Sequence, residues 1–245
     1  MMNTTHPNAQ AVVDYAKWQL KQNASECTTL WQSTKEITMM EVLNFFTVHP
    51  MNNDNDISYV LDSDREWVNA HAQERVCGEP LNPPPSYKLW KGAGQAAQFR
   101  EEQEQFSHSY PERIWTPKVK GIRYDHGNLE DVIDLLTVEP LTRQAFLPIF
   151  FPEDTGRHHG NRIPCTIGYH FIIRDGKIHT WYYARSIDAT LHFRNDIYFA
   201  NYLTNYIRKR LNFRSSAPDI EAGNLTINIA NLHCSKALYG ALNKF

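Results

Sequence analysis

The dipeptide Asp175-Gly176 constrains this chain more than any other pair of residues. It separates two β-rich runs, 165–174 and 177–185, and a two-residue Asp-Gly loop suits the turn whose twist matches paired antiparallel strands. A hairpin built on it brings its far ends together, so Cys165 and Arg185, twenty residues apart, can meet at the open end. Residues 145–151 form an apolar, strand-like run. Residues 225–232 alternate Leu225, Ile227 and Ile229 with Thr226 and Asn228, the pattern of a half-buried strand.

Helical spacing marks residues 9–24 (Val13, Ala16, Leu20), residues 129–138 behind the cap Asn128, and residues 196–211 (Ile197, Ala200, Leu203, Ile207, Leu211). Ser33 and Glu36 have capping-box spacing, and a further helix is expected from there through Phe46, ending at Pro50. Residues 52–109 turn polar, with the run Pro83–Pro85 and a Gln/Glu-rich stretch at 98–105, and are expected to form a surface insertion. The expected class is α+β, a mixed sheet covered by helices, in one domain over residues 1–245.

Composition narrows the function classes. Lys plus Arg number 25 against 27 Asp plus Glu, a net charge of −2 that argues against wrapping a nucleic acid but allows a local anion pocket. The longest apolar run, 145–152, falls well short of the ~18–20 residues of a membrane span. The first ten residues carry neither the basic nor the apolar region of an export signal, so the expected location is cytoplasmic. Four scattered cysteines, Cys27, Cys77, Cys165 and Cys234, form no CxxC pair. No metal is expected, since adjacent His158 and His159 point in different directions. Gly92-Ala93-Gly94 lacks the third glycine of a dinucleotide loop, and Arg208-Lys209-Arg210 suits a helix end.

Cys165 carries the chemistry most open to interpretation. A strand cysteine is more often a small buried hydrophobe. Beside Arg185, however, a thiol ionises more readily and becomes a nucleophile, and the same cation can hold an anionic substrate group.

Arg162-Ile-Pro-Cys165, Phe171-Ile-Ile-Arg-Asp-Gly-Lys177 and Arg185-Ser186-Ile187-Asp188 resemble the core of the thymidylate synthases. Phe193-Arg194-Asn195-Asp196 most resembles their deoxycytidylate hydroxymethylase branch, found in viruses with modified cytosine. The resemblance runs over about 140–203 and returns at 223–235. It implies a thymidylate synthase-like fold and a homodimer packed sheet against sheet. The implied reaction is at C5 of a pyrimidine deoxynucleotide monophosphate, with 5,10-methylenetetrahydrofolate as one-carbon donor. Cys165 would then add to C6 of the base.

The resemblance assigns further roles. Arg185 and Ser186 would hold the nucleotide phosphate, with Arg143 reaching it across the dimer; a second family arginine is Gln144 here. Asp188 would face the pterin ring, unless it is a turn aspartate, and His192 stands where the family keeps a glycine. Glu41 resembles the helical glutamate that organises proton transfer, and a solvated glutamate is the plain alternative. Tyr110, in Tyr110-Pro111-Glu112-Arg113, would assist proton removal at C5, with proline in place of the family glycine. His233 would contact the sugar hydroxyl or be an ordinary core histidine, and Ser235 replaces the tyrosine beside it.

Asp196 lies eleven residues after Arg185, where thymidylate synthases read uracil with asparagine and deoxycytidylate-specific relatives have aspartate. A carboxylate accepts the cytosine amino group and meets uracil O4 with a repulsive lone pair, a mismatch worth orders of magnitude in rate. A slip of one residue would make Asn195 the reader instead. Hydroxymethylation of deoxycytidylate is the favoured reading. The alternatives are methylation of deoxycytidylate, thymidylate synthesis from deoxyuridylate, and a catalytically silent nucleotide-binding module. The family continues well past the His233 segment and closes over folate, whereas Phe245 follows Ser235 by ten residues; a site left open to water would favour hydroxymethylation.

Overall fold

The computed structural model describes residues 4–31, 35–90, 105–115, 127–155, 163–214 and 219–242. Its elements in chain order are α1 (Ala9–Asn23), β1 (Ser25–Trp31), β2 (Lys35–Pro50), α2 (Arg65–Arg75), α3 (Tyr110–Ile114), α4 (Leu129–Val138), β3 (Phe146–Pro148), β4 (Thr166–Arg174), β5 (Lys177–Ala184), β6 (Ile187–Asp188), α5 (Phe193–Arg214), β7 (Glu221–Ser235) and α6 (Lys236–Tyr239). The strands form one mixed sheet in the order β1-β2-β7-β5-β4-β3, with β6 alongside β7. Pairing is antiparallel except where β7 runs parallel to β5 and β6. This is the expected α+β class.

The Asp175-Gly176 hairpin forms as expected, with both residues at positive φ, 51° and 70°, as a type I′ turn requires. α4 spans Leu129–Val138, and Asn128 accepts from the Glu130 and Asp131 amides at its start. α1 is capped by Asn8 and buries Val12, Val13, Ala16 and Leu20. α5 starts three residues before the expected 196 and lays Ile197, Ala200, Leu203, Ile207 and Leu211 into the core.

The helix expected over 33–50 is instead the strand β2. Thr38, Val42, Phe45, Thr47 and Val48 are β-branched or aromatic. The segment is paired on both sides, with β1 from Ser25↔Glu41 to Trp31↔Lys35 and with β7 from Met39↔Ser235 to Pro50↔Asn224. Two ladders satisfy its backbone more fully than a local capping pair could direct a helix, and Ser33 itself lies outside the described residues.

Part of the polar stretch 52–109 is also structural. It supplies α2, which packs on α5 and buries Val68, His71, Ala72 and Arg75. Its polar residues are tolerated inside because they find partners there, described below. Gly92–Gly94, most of 98–105, His158, His159 and Arg162 lie outside the described residues. No described helix is long and apolar enough to cross a membrane.

Candidate active site

Cys165 stands exposed at the mouth of the β4–β5 hairpin. The Arg185 amide donates to the Cys165 carbonyl at 2.9 Å and closes that mouth. The Arg185 side chain folds back over the same segment: Nε donates to the Pro164 carbonyl at 2.9 Å and Nη2 to the Ile163 carbonyl at 3.0 Å. Nη2 also lies 3.8 Å from the Cys165 Sγ. A guanidinium carries five donors, so this anchoring leaves some for an anion. The thiol therefore faces a fixed cation. Cys234 makes the contrast: it is buried in β7, and burial with the nearby Asp188 charge pushes its thiol up to about 11.

Beyond Arg185 one wing of the cluster runs across β6, β7 and β2. Ser186 Oγ lies 3.1 Å from His233 Nδ1, and Asn231 Oδ1 lies 3.1 Å from the same nitrogen. The Asn231 amide donates to the Glu41 carboxylate, and Glu41 sits opposite His233 in the β2–β7 register. Burial lowers the His233 imidazole against the raising effect of Asp188, so the ring is neutral at pH 7. Glu41 is therefore part of the cluster, but from a strand, and the helical glutamate of the resemblance has no helical counterpart at this position.

Asp188 pairs with His233 in the β6–β7 register, and its Oδ1 accepts from the Thr190 amide, the Thr190 hydroxyl and the Leu191 amide. It thus fixes its own turn while standing beside the site. The turn leads to His192, whose amide donates to the Asp188 carbonyl and whose ring lies 6.3 Å from that of Trp90. Trp90 in turn contacts Trp67 at 5.9 Å. Such a row of flat rings can hold a planar heteroaromatic ligand. Ser235 caps α6 by accepting from the Ala237 amide. Arg143 stands exposed before β3, its carbonyl accepting from His170 Nε2, and contacts none of the cluster among the described residues.

The other wing lies behind the thiol. Ser109 and Glu112 form a capping box that starts α3 at Tyr110, and Arg113 ties the helix down through a bidentate pair to the buried Asp154, 2.8 Å on each arm. So held, the Tyr110 hydroxyl lies 3.2 Å from Thr166 Oγ1, which lies 3.2 Å from the Tyr182 hydroxyl. Burial, with the Cys165 and Asp196 charges, pushes the Tyr110 phenol up to about 12. Burial raises Tyr169 and Tyr182 as well.

Asp196, in the first turn of α5, belongs to this wing. Burial raises its carboxyl from 3.8 to about 7, with Arg75 pulling in the opposite direction. Its charge acts on Tyr110, Tyr169 and Tyr182. Asn195 is 4% exposed and its side-chain amide donates to the carbonyl of Leu191, in the turn before α5.

The structure adds residues that periodicity did not reveal. His71 Nδ1 lies 3.1 Å from Ser86 Oγ and 3.3 Å from Glu74 Oε2, its ring stacks on Trp67, and burial drives it down to about 4. Arg75 places its guanidinium over the Tyr110 ring. Both belong to α2, whose sequence looks like a solvated helix.

The family model described as thymidylate synthase matches residues 84–239, more than half of the chain. No curated protein matches the chain. The matched span includes Tyr110, Cys165, Arg185, Asp196 and His233. The chain therefore belongs to the thymidylate synthase family, whose members carry out folate-dependent one-carbon transfer to C5 of a pyrimidine nucleotide.

Proposed function

We propose that the chain transfers a one-carbon unit from methylenetetrahydrofolate to C5 of deoxycytidylate through a Cys165–C6 adduct, giving 5-hydroxymethyl-deoxycytidylate. The observation that carries this reading is the Asp196 carboxyl, poised at about 7 in the wing of Tyr110, while the Asn195 amide is engaged by the Leu191 carbonyl. As the Cys165 thiolate adds to C6, electron density moves to N3 of the ring. Asp196 gives N3 its proton and becomes a carboxylate that accepts from both N3–H and the 4-amino group. In the deoxyuridylate adduct N3 already carries its proton and charge builds on O4, which the ionised form of Asp196 repels. A general acid with a pKa near the working pH is the most effective kind.

Arg185 and Ser186 hold the phosphate, with Arg143 supplied across a homodimer. Leu43, Phe46, Phe146 and Ile167 stand exposed on their strands, in keeping with a sheet-to-sheet dimer. His233, neutral and oriented by Ser186 and Asn231, offers its ring to the sugar hydroxyl. Glu41 acts from β2 through Asn231, and Ser235 closes that end. Tyr110 stays protonated at neutral pH, so it moves the C5 proton along the Thr166–Tyr182 hydroxyls and not as a free phenolate base.

Asp188, His192 and Trp90 fit a folate, since flat rings suit a pterin and the Asp188 turn leads directly to them. When bound, the folate supplies the one-carbon unit. Incubation with methylenetetrahydrofolate and deoxycytidylate or deoxyuridylate, read by mass spectrometry, tests the proposal. The 5-hydroxymethyl product from deoxycytidylate supports it. A 5-methyl product would overturn the water step, and product from deoxyuridylate alone would overturn the base assignment.

A further inference from the structure

Arg75, the last residue of α2, is 5% exposed. Its guanidinium carbon lies 4.0 Å from the centre of the Tyr110 ring and 3.8 Å from that of Phe199. Its Nε is buried with no hydrogen-bond partner among the described residues. The backbone beneath it is fixed, because Trp115 Nε1 donates to the Arg75 carbonyl at 2.9 Å. Two ring faces recover part of the cost of burying a cation. They do not neutralise it.

The geometry directs that charge to one place. Phe199 follows Asp196 by three residues on α5, so the ring under the guanidinium and the Asp196 carboxyl lie on neighbouring positions of the helix. The groups acting with Asp196 from the packed elements are Arg75 of α2, Tyr110 of α3, Tyr169 of β4 and Tyr182 of β5. The three phenols stay neutral across the working range, because burial raises each of them. His71, one turn before Arg75, is also neutral. Arg75 is thus the permanent charge among these groups.

We propose that Arg75 is a positioning residue for base recognition: clamped between Tyr110 and Phe199, its guanidinium is the fixed counter-charge of Asp196 and steadies the anionic form of that carboxyl. This rests on the reading of Asp196 as the group that meets the base. Without the cation, Asp196 would hold its proton too tightly to give it to N3 as Cys165 adds.

The test compares the wild-type chain with Arg75→Met, which keeps an unbranched apolar stem, and Arg75→Lys, which keeps the charge. The Asp196 carboxyl is titrated by carbon-13 NMR, assigned by loss of the signal in Asp196→Asn, and turnover of deoxycytidylate is followed against pH. The wild-type carboxyl should titrate at about 7. In R75M both the carboxyl midpoint and the alkaline limb of turnover should move up by about one pH unit or more, the usual effect of losing a nearby opposite charge. In R75K both should stay near the wild-type values. A purely structural Arg75 would lower the melting temperature and leave the midpoint in place, and that result overturns the proposal. Should R75M fail to fold, a wild-type midpoint far above 7 overturns it equally, since the guanidinium would then not reach the carboxyl. The titration needs no nucleotide. Product from deoxyuridylate alone would sink the base assignment and leave the Arg75–Asp196 coupling intact.

Discussion

Replacing Asp196 by asparagine should stabilise the fold, and do so increasingly as pH rises. The carboxyl shifts from 3.8 to about 7 on folding, chiefly through burial. A group raised in this way contributes stability that is intact below its unfolded value and lost as pH climbs through the folded one. At 1.36 kcal/mol per unit, the full loss is about 4 kcal/mol above pH 7, and about 1.5 kcal/mol is already gone at about pH 5. Asparagine has the same shape and no charge, so its own burial cost barely changes over this range. Urea unfolding of both proteins gives the comparison. The advantage of D196N should grow by about 2–3 kcal/mol between about pH 5 and about pH 8.5, because every other titrating group cancels in the difference. A gap that does not change with pH would mean that the carboxyl is not desolvated in the folded chain, and the account of Asp196 as a poised acid would fall with it. The same variant should turn over deoxycytidylate poorly. Stability given up at a working residue is a common trade.

Cys165→Ser should lose turnover and the denaturation-resistant adduct with 5-fluoro-deoxycytidylate and folate; an adduct that survives in mass spectra would remove Cys165 from the mechanism. Asp154→Ala strips the bidentate partner from Arg113, 2.8 Å on each arm, and should cost about 3–5 kcal/mol in urea unfolding while loosening the helix that carries Tyr110. An unchanged midpoint would show that the pair does not anchor that helix. Gly168→Ala would bring a Cβ to 2.5 Å from Phe146 Cζ and 2.7 Å from the Leu147 carbonyl. Because one of these is backbone, β3 must shift from β4, and a loss of about 1–3 kcal/mol is expected by thermal melting.

The hairpin and the Cys165–Arg185 meeting were legible because both follow from local rules. A two-residue turn of known chirality sets the register, and the register sets which ends meet. α4 was legible for the same reason, with the cap Asn128 just before its ten residues and Pro140 just after them. β2 was not. Its capping-box spacing and helical apolar positions are local signals, while its strand state depends on partners about 190 residues away in β7. α2 was missed for a related reason. Arg65–Arg75 has a weak apolar stripe, and His71 and Arg75 are buried because Glu74, Ser86 and the rings of Tyr110 and Phe199 receive them. No spacing rule announces an arginine that turns inward. The resemblance named Asp196 and Tyr110 but not the cation between their elements.

The position of β7 within the sheet also has a consequence for synthesis. Its residues emerge after those of β2 and β5, yet it must enter between them. Until Glu221 and the residues after it leave the ribosome, β2 and β5 present two unsatisfied edges to anything nearby. Contacts of such long range form slowly. The nascent chain is therefore most exposed to misassociation just before β7 emerges, and a stop or frameshift near residue 220 should yield an aggregating product instead of a weak enzyme. His233 arrives on the same strand, so the wing of the site that it orients is completed by the step that closes the sheet.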